Sequence, residues 1–136
     1  MSNVFAKDRT ETKLAFYVTA LDIQEQITML CMKERLLPKK WRYAIGYPLI
    51  AKLDELVDNI IYANSIYPVT NEELVKRKYY QTLALANCFQ IQNKLIRAER
   101  CIETIKIDNF ENVILLLYHE INLLKAWRKS SKILSK

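Results

Sequence analysis

The chain has 136 residues, 51% of them apolar, with one glycine and three prolines. That length is one domain, that apolar share builds a core without metals or disulfides, and so few turn residues exclude a fold with many hairpins. Lys plus Arg outnumber Asp plus Glu by 21 to 15, a net charge of +6 and a pI near 9.2, which permits a polyanionic partner without requiring one.

Apolar residues spaced three and four apart predict four helices, over about 10–36, 40–65, 71–103 and 109–131. The first carries Phe16, Ala20, Ile23, Ile27, Leu30 and Leu37 on one stripe, has Asp8 or Thr10 as candidate caps, and ends before Pro38. The second carries Ile45, Leu49, Leu53, Leu56, Ile60, Ala63 and Tyr67 and stops at Pro68. Within it, Pro48 removes an amide and opposes the carbonyl of Ala44, at about 3 kcal/mol unless the helix bends. With Gly46 nearby, the sequence predicts a kink or a separate turn over 43–47, a regular helix from Pro48, and a close approach of backbone to a neighbour. Thr70 with Glu73 reads as a capping box opening the third helix, whose stripe is Tyr80, Ala84, Cys88, Ile91, Leu95, Ala98 and Ile102. Asp108 with Glu111 reads as a second such box before Phe110, Ile114, Leu117, Ile121 and Leu124. Links this short turn each helix back along its predecessor, so the expectation is an all-α, antiparallel up-down-up-down four-helix bundle spanning 1–136, frayed at 1–9 and 132–136.

Residues for catalysis are sparse. His119, beside Glu120, is the only histidine, which leaves no His pair for a metal and reads as a surface residue; one glycine rules out a Gly-rich phosphate loop. Asp54, Glu55 and Asp58 have no Glu-x-x-His motif with which to build a di-metal site, and read as a solvated face or as ion-pair partners. Cys31, Cys88 and Cys101 are odd in number, lack a C-x-x-C and sit among apolar residues, so they read as reduced core thiols of a cytoplasmic protein. Residues 1–13 have no apolar run, and no window of about 20 residues is free of charge, which argues against a leader and a membrane span. No enzyme, metal or cofactor is expected.

The positive charge is grouped. Lys33, Arg35, Lys39, Lys40 and Arg42 surround the first corner, and Arg100 with Lys106 falls at the same end of an up-down bundle; Lys94, Arg97 and Arg100 follow three apart along helix three. Lys76, Arg77 and Lys78 open helix three, next to a C-terminal segment with Lys125, Arg128, Lys129, Lys132 and Lys136. Two readings stand: solubilising charges near helix ends, or phosphate contacts made by Lys39, Lys40, Arg42, Lys76, Arg77, Lys78, Arg97, Arg100, Lys125, Arg128, Lys129 and Lys132. Trp41, Tyr43 and Tyr47, interleaved with the corner bases, read either as stacking platforms or as core and interface. Val57 and Ile61 in helix two, and Val113, Leu115, Leu116, Tyr118 and Leu123 in helix four, widen the apolar stripes beyond what one core requires. A homo-oligomer follows, with Trp41, Tyr43, Tyr47, Leu116 and Trp127 as candidate contacts; the alternative is a monomer that absorbs the wide stripes.

Three stretches, "LPKKWRYAIGYPLI", "LIRAERC" and "INLLKAW", stand in the order and at the separations found in a bacterial four-helix bundle family. Over about 36–127 the chain resembles the accessory variability determinant proteins of diversity-generating retroelements, and their relatives encoded in intervening sequences of 23S ribosomal RNA genes. The resemblance implies a non-enzymatic homopentamer that binds a reverse transcriptase and RNA or DNA during copying of a template. It matches Arg97 to the family's helix-three arginine, Gly46 to its helix-two glycine and Trp127 to its last-helix tryptophan. Pro48 departs from the family's pattern, as do Lys125 and Ala126, which stand where two glycines often precede the tryptophan. The expected function is therefore a nucleic-acid-binding accessory protein of a reverse transcriptase, with a purely structural, protein-interacting bundle as the alternative.

Overall fold

A proline at 38 disfavours helical geometry at Leu37 and offers no amide of its own, so the chain must leave its first helix before that point. It does so at Met32. The computed structural model describes residues 10–134, and its helices are α1 (Thr10–Met32), α2 (Tyr47–Asn64), α3 (Asn71–Cys101) and α4 (Glu111–Ser130). They form a four-helix bundle with no strand among the described residues. Asp8 and the segments 1–9 and 135–136 lie outside them.

The first corner differs from the expected helix ends in a way its residues explain. α1 stops short of residue 36 as its bonding tightens to three-residue steps, the Lys33 amide reaching the Leu30 carbonyl at 3.2 Å and the Leu36 amide the Lys33 carbonyl at 3.0 Å. A 3-10 turn, Lys39–Trp41, and a single π turn, Arg42–Gly46, then replace the expected start of the second helix. The Tyr47 amide donates to the Arg42 carbonyl, five residues back. This wider turn is the kink anticipated over 43–47, and it brings Pro48 in at the first turn of α2, where a missing amide costs little. Gly46 is buried with an ordinary helical φ of −66°. What it supplies is room, since a Cβ there would lie 3.0 Å from Cδ2 of Leu37.

α3 begins as its sequence predicts. The Glu73 amide donates to Thr70 Oγ1 at 3.2 Å, and the Thr70 amide donates to Glu73 Oε1 at 3.0 Å, so two amides with no helical partner are satisfied reciprocally. The second expected box does not form. Asn109 Oδ1 accepts the Lys106 amide at 3.0 Å, which tightens residues Ile107–Phe110 into a 3-10 turn containing Asp108, and α4 starts at Glu111 with no side-chain cap.

The stripes meet in one core. Ile23, Ile27, Leu53, Leu56, Ile60, Ala84, Cys88, Ile91, Val113, Leu117 and Leu124 are almost fully enclosed, while Leu30 and Ile114 are half-buried at its margin. Two expected members fall outside. Tyr67 is 61% exposed because α2 ends at Asn64, after which the helical spacing no longer holds, and Cys101 is exposed as the last residue of α3. Polar contacts tie the helices together around this core: Gln24 to Asp54 at 2.9 Å, Asn59 to Asn87 at 2.7 Å and Arg128 to Thr82 at 3.2 Å. No described helix is long and apolar enough to cross a membrane.

Leu53→Ala leaves a void between well-packed helices and is expected to cost about 2–5 kcal/mol, whereas Thr70→Ala removes only the cap and costs about 1 kcal/mol. Urea denaturation of the two variants measures both, and an equal loss would show that the core at Leu53 is not tightly packed.

Candidate nucleic-acid interface

The basic residues converge on two ends of the bundle, and specific contacts set each end. At one end, Arg77 lies 5.4 Å above the ring of Trp127 and donates to the Ile66 carbonyl at 3.2 Å. Trp127 stacks on Phe16 with ring centres 3.9 Å apart. Ser131 accepts from Gln81 at 2.8 Å, and the Leu134 amide donates to the Pro68 carbonyl at 2.8 Å. The segment after α4 is thereby held against the α2–α3 connection, which places Lys132 at the end where Lys76, Arg77 and Lys78 open α3 and Lys125, Arg128 and Lys129 close α4. Lys76, Lys125, Lys129 and Lys132 are exposed, and none of these four forms an ion pair among the described residues. Arg77 and Arg128 are half-buried and held by their own chain.

At the other end, Thr104 Oγ1 donates to the Leu36 carbonyl at 2.9 Å, so the α3–α4 connection meets the first corner. Lys39, Lys40, Arg97 and Arg100 are exposed there, and Arg42 is half-buried with its Nε enclosed and unpartnered. Lys40 sits 5.9 Å from the ring of Trp41. The twelve candidate bases thus form two groups at two ends.

The aromatic and apolar candidates divide. Trp41, Leu116 and Trp127 are partly buried and pack against the core of their own chain. Tyr43, at 84% exposed, and Tyr47 face solvent and meet each other edge to face at 5.9 Å. Glu55 is paired with Lys52 in the same helix at 3.1 Å, and Asp54 is the acceptor for Gln24.

Glu120 was missed by the sequence reading. It has no exposed surface, and neither carboxylate oxygen has a hydrogen-bond partner among the described residues. Burial favours its neutral form and pushes its pKa up to about 9. Cys88 is driven far above the usual thiol range by its own burial and then by the nearby Glu120 charge; burial alone lifts Cys31 to about 11. The signal was present, since Glu120 continues the spacing of Val113, Leu117 and Leu124. His119, next to it, is exposed as expected. No group of three or more His, Cys, Asp or Glu side chains suited to a metal occurs among the described residues.

Comparison of the chain with family models, with curated proteins and with solved structures finds no match.

Glu120 carries a stability signature. Its folded pKa of about 9 lies above the ordinary value of 4.5, so between those values the folded chain holds one proton more than the unfolded chain. The contribution is complete below about pH 4.5 and is lost as pH rises toward 9, with a slope on the order of 1 kcal/mol per pH unit. Glu120→Gln is expected to remove this slope and to raise the melting temperature more near pH 8 than near pH 5; equal shifts at both would assign Glu120 a solvated, ionised state.

Proposed function

We propose that the chain is a non-enzymatic, cytoplasmic nucleic-acid-binding bundle that serves as an accessory to a reverse transcriptase. The observation that carries the reading is the end where Lys76, Lys125, Lys129 and Lys132 stand exposed without an ion-pair partner among the described residues. Unpaired cations grouped in this way neutralise phosphates and release counterions, which gives affinity with little sequence preference. The reverse-transcriptase role rests on the three stretches that resemble the retroelement accessory proteins. An antiparallel up-down-up-down course belongs to the same reading. It is supported by cross-helix pairs that advance along one helix while receding along the next, such as Gln92 with Tyr118 and Thr82 with Arg128, or Asn59 with Asn87 and Tyr62 with Tyr80.

A structural, protein-interacting bundle is the second reading. It is favoured by Phe89, Ile96, Leu115 and Tyr118, which are 46–61% exposed although they are large and apolar or aromatic.

Fluorescence anisotropy with short RNA and DNA strands separates the two. Binding is expected at about 50 mM salt and should weaken steeply toward 200 mM, and the triple variant Lys76→Ala, Lys129→Ala, Lys132→Ala should flatten the log–log salt slope by roughly 2–3. Absence of binding at the lower salt leaves the structural reading.

A further inference from the structure

α4 presents a second face to solvent. Glu111, Leu115, Tyr118, Asn122 and Lys125 are all exposed, and their spacing of four, three, four and three residues is that of a helix-pairing seam. Leu115 and Tyr118 make its centre apolar. Glu111 and Lys125 close its two ends, each seven residues or about 10 Å from Tyr118.

α3 continues the patch. Gln92 Nε2 lies 3.5 Å from the Tyr118 hydroxyl and Arg128 bonds Thr82, so the outer surfaces of α3 and α4 are contiguous, with Phe89 and Ile96 exposed on α3. Residues 79–93 of α3 contain no charged side chain, nor do residues 112–118 of α4. A helix surface that faces only water normally carries charge. Here charge is withdrawn from the middle and kept at the ends, as at the core and rim of an interface.

The charge order along α4 specifies the occupant. Rotating the seam by a half-turn about Tyr118 exchanges Glu111 with Lys125, so a second copy laid antiparallel on the first sets each acid opposite a base, twice over. A parallel alignment would set like charges together. We propose that the outer α3–α4 face is an isologous interface with a second copy of this chain, in which α4 packs antiparallel to its counterpart about Tyr118. The pairing deepens the structural reading and holds whether or not nucleic acid binds.

Light scattering coupled to gel filtration at high micromolar concentration tests it. The expected mass is twice the 16.1 kDa of one chain. Leu115→Glu with Tyr118→Glu should give the single-chain mass while the helical circular dichroism spectrum is kept, because both side chains lie outside the core. Glu111→Lys and Lys125→Glu should each raise the dimer dissociation constant by about tenfold or more, and the two together should restore it. Tyr118→Cys in a Cys101→Ser background should form a disulfide with itself under mild oxidation. A single-chain mass for the unaltered protein overturns the proposal and leaves the face to a different protein. So does a fivefold mass, as the retroelement resemblance implies, or a charge exchange that fails to restore pairing.

Discussion

Leu37 closes the bundle at its first corner, and the position of α2 depends on how deeply it is set. Its side chain reaches a Cβ-less backbone at Gly46 and borders a cavity of about 20 Å³ lined by Ile27 of α1, Leu49 of α2, Ala98 of α3 and Phe110 just before α4. Three helices and the turn before α4 therefore line the same space as the residue that precedes Pro38. The lining is almost wholly apolar, so the space, close to the size of one water, offers a water no hydrogen bonds. A Cβ at 46 would press on Leu37 Cδ2 and require it to shift by a few tenths of an ångström. The π turn from Arg42 to Gly46 then delivers Pro48 to the start of α2 rather than to its interior. One close contact and one widened turn reconcile two helix breakers with a continuous core.

Most of the basic side chains lie toward the ends of the molecule, whereas Lys52, Asp54, Glu55 and Asp58 keep charge at the middle of α2. Lys52–Glu55 is the ion pair the described residues display, and exposed pairs of this kind contribute little to stability. Among the described residues Lys76, Lys125, Lys129 and Lys132 form no ion pair, and their end of the bundle is held by the Phe16–Trp127 stack, the Gln81–Ser131 bond and the tie from Leu134 to Pro68. The packing that completes the core also positions the basic side chains, so the electrostatic character of that end is a consequence of the fold.

α4 works on two faces. Inward, Val113, Leu117 and Leu124 share the core with Glu120, whose carboxyl is kept neutral by burial and has no hydrogen-bond partner among the described residues. Outward, Leu115 and Tyr118 remain in water. A buried carboxyl without a hydrogen bond costs stability, and an exposed apolar face costs solubility; α4 carries both.

Four helices, most of the core and the Thr70–Glu73 cap were legible in the sequence, because spacings of three and four and a hydroxyl three residues before a carboxylate are local properties of the chain. The bend near Gly46 was legible for the same reason. Glu120 was not, although it sits at core spacing, because a carboxylate is ordinarily assigned to solvent and only the packing around it shows that no water reaches it. Cys101 and Tyr67 looked like core residues until the helix ends were known, and the cap assigned to Asp108 is absent because Asn109 draws the chain before α4 into a 3-10 turn. The sequence by itself determined the elements and their inward stripes. Helix order was enough to say which basic clusters share an end; tertiary structure alone decided which aromatic residues are spent on their own chain and which face solvent, since that depends on contacts between residues far apart in sequence.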